Sequence, residues 1–358
     1  MKIVFLADCI TTQKAGIHYY ARNLVDQIIK SYPEHDYYLV ASEKIEDLQI
    51  SQIIVPINEF IPFHLRWRQV FIIPKEVGKV NPDYVIELAH FGPFNLRSAI
   101  DRVTVIHDLT PITHPRWHPF ISSITHKLIL PYVVKRAKYI ITNSSWTKAQ
   151  IKRYYQKNDQ DVLVSYPRLK DLSDHKKFRQ SKDPLKRYFL TVGTIEPRKN
   201  HVTIIRAFDL FCKAHKDFQW IIVGGDGWKN GAFWQVLKES PNQDKIKITG
   251  FLSREQVLQL YQGATAFIFA SLYEGFGMPM IEASYFSLPL LLADNESLPH
   301  FYRERALLFD PLDAGKLADN LEKVVSHDDL RQELEQKSRE AFIHFEALKT
   351  DLDIIFKP

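Results

Sequence analysis

The sequence predicts an α/β protein of two domains, each built on a parallel sheet that helices cover on both faces. Short apolar strands alternate with helical patterns along the 358 residues, and such alternation is typical of parallel sheets. A polar segment without clear periodicity, residues 171–186, interrupts the pattern, and a second series begins after it. The chain is therefore expected to form two Rossmann-like domains that face a central cleft.

Scarce glycine and abundant aromatic side chains indicate a chain that can bury a large core. The sequence holds 13 Gly, 23 Phe, 16 Tyr and 6 Trp, which excludes collagen-like and disordered classes. Three glycines precede residue 190, and the other ten lie between Gly193 and Gly315. Because scarce glycines tend to stand where a side chain does not fit, we expect most ligand-facing turns in the second half.

Basic residues are concentrated in the first half of the chain. Residues 1–180 carry 25 Lys and Arg against 17 Asp and Glu, whereas residues 181–358 carry 22 against 25. This balance favours contact with an anionic membrane or phosphorylated substrates, or it describes only a solvated basic surface. In Phe120–Tyr155, Lys and Arg alternate with Leu, Ile, Tyr and Trp. That segment is either a membrane-contacting surface or a set of ordinary amphipathic helices.

The sequence favours a cytoplasmic protein, or one that lies peripherally at the inner face of a membrane. Cys9 and Cys212 are far apart and lack metal-binding spacing, which fits a reducing compartment. The first apolar run ends at Asp8 and is too short for a signal peptide. No apolar stretch approaches the roughly 18 residues of a membrane span. We expect no nucleic acid partner, and the oligomeric state stays open.

The first domain, residues 1–170, is predicted to begin with a buried strand at Lys2–Ala7 and a helix at Gly16–Lys30. Asn143 or Ser144 is suited to cap a helix that runs to about Tyr155. The other predicted strands are Tyr37–Val40, Tyr84–Leu88, Val103–Ile106, Tyr139–Thr142 and Val162–Val164.

The second domain is predicted over residues 187–340, and residues 341–358 form a C-terminal helix expected to pack back towards the first domain. Ser253 and Gln256 have the spacing of a capping box, and Asn200 is suited to cap a helix. The predicted strands are Tyr188–Val192, Trp220–Val223, Ile246–Ile248, Ala266–Ala270 and Leu290–Ala293. The predicted helices are Asn200–Lys213, Ser253–Tyr261, one that starts near Met278, Asp313–Ser326 and Asp328–Phe345.

The segment YEGFGMPMIE, residues 273–282, follows a buried strand and opens a helix. The first N–H groups of a helix attract anions and hydroxyl oxygens, and Gly275 and Gly277 let the backbone approach a ligand. Glu274 and Glu282 flank this turn. Carboxylates are unsuited to bare phosphate but accept hydrogen bonds from sugar hydroxyls, so the segment predicts a site for a sugar joined to phosphate.

The segment GTIEPRKN, residues 193–200, places two cations between a strand and a helix. Arg198 offers a planar fork of donors and Lys199 a point charge, a combination suited to a diphosphate at the carboxyl end of a strand. The alternative is a pair of exposed, solubilising cations.

Together these two segments resemble the family 4 glycosyltransferases, retaining enzymes of the GT-B fold in which two glutamates separated by seven residues are a specific motif. The resemblance extends over residues 1–310. Gly16 before a helix is similar to the family's glycine loop, with one of the usual two glycines. VIHDLTP, residues 105–111, with His114 is similar to mannosyl- and rhamnosyltransferase-like members. Thr194 departs from the arginine of many members, and Arg198 stands in its place.

The resemblance implies a role for each motif residue. It places His107 near the reacting carbon, Arg198 and Lys199 on the leaving diphosphate, Glu274 on the transferred sugar and Glu282 on the ribose. The implied catalytic residues are His107, Arg198, Lys199 and Glu274. The implied donor-binding residues are Gly16, Gly193, Arg198, Lys199, Phe251, Leu252, Glu274, Phe276, Gly277, Met278 and Glu282.

The implied activity is transfer of a sugar, first mannose, from a nucleotide-diphospho-sugar to a saccharide or lipid-linked acceptor in cell-surface polysaccharide biosynthesis such as that of lipopolysaccharide. GDP-mannose is the favoured donor, and UDP- and dTDP-sugars stay open. No cofactor or metal is expected, because the Asp-x-Asp form of Asp351 and Asp353 lies in a helical pattern and is predicted to be surface. The alternatives are an epimerase or phosphorylase of the same fold, or a catalytically inactive scaffold of a polysaccharide assembly complex.

Overall fold

The computed structural model describes residues 1–12, 16–58, 60, 64–93, 95–169 and 187–357. They divide into two compact units. The first comprises Met1–Ile112, Ile121–Arg168 and Lys349–Pro358, and the second comprises Thr113–Phe120 and Leu169–Leu348. The predicted linker, residues 171–186, lies outside the described residues. Of the C-terminal segment 341–358, the first unit takes only the part from Lys349 onwards.

A seven-stranded parallel sheet forms the centre of the first unit. Its strands are β1 (Lys2–Leu6), β2 (Asp36–Ala41), β3 (Ser51–Ile54), β4 (Tyr84–Glu87), β5 (Asp101–Ile106), β6 (Tyr139–Thr142) and β7 (Val162–Val164). Their order is β3-β2-β1-β4-β5-β6-β7. Ile3, Val4 and Phe5 are fully buried, because helices cover both faces of the central strand β1.

The helices that begin in the first 160 residues are α1 (Asp8–Thr12), α2 (Gly16–Ser31), α3 (His64–Trp67), α4 (Ile73–Val80), α5 (Thr110–Thr113), α6 (Phe120–Arg136) and α7 (Ser145–Tyr155). A π-helical turn joins α3 to α4. The Ser144 hydroxyl accepts a hydrogen bond of 3.0 Å from the Thr147 amide, so the predicted cap of α7 is confirmed.

A six-stranded parallel sheet forms the second unit. Its strands are β8 (Tyr188–Val192), β9 (Gln219–Val223), β10 (Ile246–Ile248), β11 (Ala266–Phe269), β12 (Leu290–Ala293) and β13 (Leu307–Phe309), in the order β10-β9-β8-β11-β12-β13. Its helices are α8 (His201–Phe211), α9 (Gly231–Glu239), α10 (Arg254–Gly263), α11 (Met278–Tyr285), α12 (His300–Arg303), α13 (Ala314–Ser326) and α14 (Asp328–Glu346). The capping box of Ser253 and Gln256 is present at α10.

The last helix, α15 (Asp353–Phe356), belongs to the first unit. Phe356 is fully buried, and the Tyr32 hydroxyl donates a hydrogen bond of 2.6 Å to the Asp353 carboxylate. Lys357 also contacts Asp353, at 2.8 Å. Asp351 and Asp353 are both exposed on this segment, where the sequence placed them.

The two-domain α/β fold is confirmed, and the elements that the sequence analysis did not single out have local explanations. β3 and β13 are short strands at the edges of their sheets, where little apolar burial marks them. α6 contains Pro131, and proline in a helix interior is ordinarily read as a break. The pattern of α9 is broken by its opening Gly231 and by exposed Trp234.

Candidate active site

The strand order of the second unit places two loops side by side. β8 lies between β9 and β11, so the chain crosses to opposite sides of the sheet after β8 and after β11. In open parallel sheets, ligands bind beyond the carboxyl ends of the strands at such a switch point. The loop after β8 carries GTIEPRKN, and the loop after β11 carries YEGFGMPM. The fold therefore brings together the two segments that the sequence singled out.

A cluster of four charged side chains occupies this switch point. The Glu274 carboxylate accepts hydrogen bonds from Arg198 Nη1 and from Lys199 Nζ, each 2.5 Å long. Arg198 Nη2 donates to Glu196 Oε1 at 2.7 Å. All four side chains are largely buried. We call Glu196, Arg198, Lys199 and Glu274 the charge cluster.

The cations keep Glu274 ionised. Burial raises the pKa of this carboxyl, but the charges of Arg198 and Lys199 and the hydrogen bond from Lys199 outweigh burial, so the pKa is lowered overall. A buried carboxylate and its two cations thus stabilise one another. An anionic ligand entering the cluster would compete with Glu274 for both cations.

Hydrogen bonds between the two loops fix the position of the cluster. The Leu272 amide donates to the Arg198 carbonyl at 2.8 Å, and Arg198 Nη1 donates to the Tyr273 carbonyl at 3.1 Å. Asn200 Nδ2 donates to the carbonyls of Ala270 and Pro311, at 3.2 and 2.6 Å. The prediction that the Asn200 side chain caps α8 is wrong, because its Oδ1 accepts from the Thr203 hydroxyl at 2.9 Å rather than from a backbone N–H of the helix, and its backbone is left-handed.

Glu282 lies on α11 and has its own partners. Arg254 Nη1 donates to Glu282 Oε1 at 2.6 Å, and the Tyr261 hydroxyl donates to Oε2 at 2.9 Å. Glu282 is therefore oriented by α10 and is separate in its contacts from the charge cluster. A carboxylate held in this way keeps one or more lone pairs for the hydroxyl groups of a ligand.

Two glycines are required by the backbone around the cluster. Gly224 has φ +153°, and a Cβ there would stand 2.2 Å from the Gly193 carbonyl oxygen, so the ends of β8 and β9 can approach closely. Gly277 has φ +91° and immediately precedes α11. The sequence analysis assigned Gly193 and Gly277 to the ligand but gave Gly224 no role.

The amides of Phe276, Gly277 and Met278 lie at the start of α11, where N–H groups have no carbonyl partner within the helix. The Glu274 amide donates to Ser297 Oγ at 2.8 Å, which anchors the turn before them. The amide positions are therefore next in the chain to the charge cluster, as the sequence predicted.

Phe251 and Leu252 follow the end of β10. The Phe251 side chain is 61% exposed. Its ring lies where a side chain on Gly225 would be, with Phe251 Cε2 only 2.5 Å from such a Cβ. The glycine thus leaves space for an exposed aromatic face on the second unit.

His107 and Gly16 belong to the first unit. His107 is buried, and its Nε2 lies 2.9 Å from the Leu88 carbonyl, so this nitrogen carries the proton. Burial lowers the pKa of His107, which favours a neutral ring. Gly16 opens α2, and a Cβ there would meet no atom within 4 Å. Packing among the described residues therefore does not require glycine at this position.

The second unit contains an aromatic group, formed by His114, Trp117 and Tyr273, that was not predicted. The His114 ring stacks on Trp117, with centroids 4.1 Å apart and planes 3° apart, and it lies 5.4 Å from the Tyr273 ring. Trp228 Nε1 donates to the Trp117 carbonyl at 2.6 Å. The His114 and Trp117 rings are half-buried, and the Tyr273 ring is buried.

Three further polar partners were not predicted from the sequence: Glu196, Arg254 and Tyr261. Glu196 lies within the GTIEPRKN segment, and its spacing of two from Arg198 could have indicated a pair across a tight turn. Arg254 and Tyr261 lie 28 and 21 residues from Glu282. Only the packing of α10 on α11 brings them to it, so no local pattern marks them.

The neutral histidine at the start of α8 should make the protein sensitive to acid. Burial, and then the charge of Lys199, lower the pKa of His201 from 6.5 to about 3. The unfolded chain binds a proton at this residue below about pH 6.5, whereas the folded chain does not until about pH 3. Stability present above pH 6.5 is therefore lost as the pH falls.

We expect His201→Phe, which fits between the rings of Trp220 and Phe233, to flatten the dependence of Tm on pH between about pH 7 and pH 5. Thermal unfolding across this range measures the effect. His300→Phe, at an exposed position on α12, is the control and should keep the wild-type profile. A His201→Phe profile parallel to wild type would contradict the assignment.

Comparison with known proteins identifies the class. Residues 173–341 match the family model described as Glycosyl transferases group 1. O-antigen chain mannosyltransferase B of Escherichia coli is 25% identical over 355 residues, which cover 93% of this chain and 92% of that protein. O-antigen chain mannosyltransferase RfbU of Salmonella typhimurium is 28% identical over 213 residues, which cover 60% of this chain and 58% of that one.

Solved structures agree on the fold. WaaG, described as a glycosyltransferase involved in lipopolysaccharide biosynthesis, has a TM-score of 0.70 at 14% identity, and the match covers 100% of both chains. Anabaena Alr3699/HepE in complex with UDP and glucose has a TM-score of 0.70 at 16% identity and covers 97% of this chain and 95% of that one. The chain is a glycosyltransferase with the GT-B fold, similar to mannosyltransferases.

Within the described ranges, no helix combines the length and the apolar character needed to cross a membrane. In the same ranges, no three His, Cys, Asp or Glu side chains meet in an arrangement suited to a metal ion.

Proposed function

We propose that this glycosyltransferase moves mannose from a nucleotide-diphospho-sugar to a saccharide or lipid-linked acceptor in cell-surface polysaccharide biosynthesis, with retention at the anomeric carbon. The observation that carries the proposal is the charge cluster at the switch point of the second sheet. It combines two cations suited to a diphosphate with a carboxylate suited to sugar hydroxyls.

Each part of the donor has a partner in the proposal. Arg198 and Lys199 bind the diphosphate and offset the charge that it gains as it leaves. Glu274 and the amides of Phe276, Gly277 and Met278 hold the sugar. Glu282, oriented by its neighbours on α10, accepts hydrogen bonds from the ribose. The remaining donor contacts proposed are Gly16, Gly193, Phe251 and Leu252, with the exposed Phe251 ring beside the base.

The acceptor and His107 complete the proposal. The stacked rings of His114 and Trp117 lie beside Tyr273, the residue before Glu274, and this half-buried aromatic group supports a saccharide acceptor. The role proposed for His107, near the reacting carbon, is based on its position in the HDLTP segment. No metal or cofactor takes part in the proposed reaction, because the two cations serve the leaving group.

The donor is proposed to be GDP-mannose. The curated relatives from Escherichia coli and Salmonella typhimurium are named as mannosyltransferases, and the HDLTP segment resembles mannosyltransferase-like members. UDP- and dTDP-sugars are the competing donors. The Anabaena HepE structure is a complex of that protein with UDP and glucose.

A thermal-shift screen with GDP, UDP, dTDP and ADP tests the donor. A ligand that binds only the native state increases the free energy of unfolding, by about 2.7 kcal/mol at a hundredfold excess over Kd. This added stability raises Tm. We expect GDP to give the largest shift, and GDP-mannose with a cell-envelope glycan acceptor to release GDP. A larger shift with UDP or dTDP would replace mannose as the proposed sugar.

Product analysis separates the alternatives. A glycosylated acceptor formed together with free nucleoside diphosphate supports transfer. An epimerised sugar nucleotide, or a sugar phosphate made from a glycan and inorganic phosphate, would replace transfer by the corresponding reaction. Calorimetry that detects no binding of any sugar nucleotide or nucleoside diphosphate would favour the scaffold alternative.

The proposal includes peripheral contact between the first unit and an anionic membrane. Residues 101–180 contain 15 Lys and Arg against 6 Asp and Glu, and a lipid-linked acceptor would itself lie at such a surface. Helix α6 is the part of the fold that could make this contact.

A further inference from the structure

Helix α6 exposes large apolar side chains along one face. Phe120, Ile121 and Leu128 are 76%, 78% and 71% exposed, and Ile124 and Tyr132 extend the same row. Their spacing of three or four residues places them on one side of the helix. We call the side chains of Phe120, Ile121, Ile124, Leu128 and Tyr132 the α6 face.

The opposite side of α6 carries the packing contacts of the helix. Leu130, Val133 and Val134 are buried in the core of the first unit. Packing in the core therefore explains the apolar residues on that side of α6, but not those of the α6 face. A helix with apolar residues on both sides is normally buried on both, so the α6 face calls for a partner outside the described chain.

Positive charge surrounds the α6 face. Lys127, Lys135 and Arg136 are exposed on this helix, and α6 contains no acidic residue. Arg136 lies 5.6 Å from the centre of the Tyr132 ring. Apolar side chains bordered by Lys and Arg, with Tyr near one end, match the chemistry of a bilayer surface with anionic headgroups.

We propose that the α6 face docks on an anionic lipid bilayer, with α6 lying in the plane of the interface. Phe120, Ile121 and Leu128 insert between headgroups, and Lys127 and Arg136 bind lipid phosphates. The inference rests on the proposed membrane contact and names its surface. Docking requires neither a bound donor nor sugar transfer.

Co-sedimentation of the full chain with vesicles tests the α6 face. We expect binding to vesicles of equal parts phosphatidylcholine and phosphatidylglycerol, and at least tenfold weaker binding by Ile121→Ser/Leu128→Ser, since each change removes a large apolar group. Lys127→Glu should weaken binding at least fivefold at low salt, because one basic residue near the surface contributes roughly that factor. Vesicles of phosphatidylcholine alone should bind more weakly.

Matched controls come from the second unit. Leu312→Ser removes a side chain that is 78% exposed, and Lys216→Glu reverses an exposed charge. Both should bind vesicles as wild type does. All five substituted positions are exposed, so Tm should stay near the wild-type value and a loss of binding is not a loss of folding.

The outcomes separate the surface from the wider proposal. If wild type binds anionic vesicles and Ile121→Ser/Leu128→Ser binds equally well, the α6 face is the wrong surface. If wild type binds no vesicles, membrane contact fails, while sugar transfer in solution is judged separately by product analysis. A third outcome is that wild type binds no vesicles but self-associates, whereas the double variant is monomeric. The α6 face would then bind a second copy of the chain, and the proposal would be overturned.

Discussion

Replacing Lys199 by Ala should lower kcat/KM for sugar transfer by roughly 100-fold to 1000-fold, the range seen when one preorganised donor to developing charge is removed. Lys199 Nζ lies in a largely buried cluster, 2.5 Å from the Glu274 carboxylate. Its charge is therefore only weakly screened by water. A leaving diphosphate gains charge in the transition state, so the loss should fall on kcat as well as on KM.

Steady-state release of nucleoside diphosphate measures this effect. Lys199→Arg keeps the charge but changes its geometry, and we expect it to retain more activity than Lys199→Ala. Lys216→Ala, an exposed lysine of the same unit, should match wild type. If Lys199→Ala stayed within threefold of wild type, the diphosphate role of the charge cluster would be refuted.

The sequence was sufficient to predict the parts of the fold that depend on local pattern. Buried apolar runs marked Tyr139–Thr142 and Leu290–Ala293 at their observed bounds, because a strand inside a parallel sheet is apolar on both faces. The edge strands Val162–Val164 and Ile246–Ile248 were also predicted at their observed bounds. The caps at Ser144 and Ser253 were also predicted, because each serine bonds to a residue only three positions further along the chain.

The parts that were not predicted depend on contacts distant in the chain. Asn200 has the residue type of a helix cap, but its Nδ2 donates to the carbonyls of Ala270 and Pro311 and its Oδ1 accepts from the Thr203 hydroxyl. The sequence identified Arg198 and Glu274 as ligands of one donor but not as partners of each other. Their direct pairing follows from the adjacency of β8 and β11, which no spacing along the chain specifies.

That pairing changes what a nucleotide must do to bind. Glu274 is paired with both Arg198 and Lys199, so a diphosphate bound as proposed would compete with Glu274 for the same two cations. The competition is useful if the sugar takes over Glu274 when the diphosphate takes over the cations. A complete donor then satisfies all three groups, whereas a nucleoside diphosphate leaves the carboxylate without a sugar.

Replacing Glu274 by Gln should therefore separate transfer from nucleotide binding. We expect kcat/KM for transfer to fall about 100-fold, because the sugar loses a charged acceptor. Nucleoside diphosphate should bind about tenfold tighter, because two charge-assisted hydrogen bonds no longer oppose it. In the absence of nucleotide, Tm should fall, since Lys199 loses its carboxylate partner and Arg198 keeps only the carboxylate of Glu196, and nucleoside diphosphate should restore Tm.

Calorimetry with the nucleoside diphosphate selected by the thermal-shift screen, beside transfer kinetics, measures both effects on one protein preparation. Glu255→Gln, an exposed carboxylate on α10, is the control and should change neither quantity. Weaker nucleotide binding by Glu274→Gln would mean that the carboxylate orders the cations for the diphosphate. Tighter binding with lost transfer would mean that it competes with the diphosphate and serves the sugar, which is the arrangement that the charge cluster predicts.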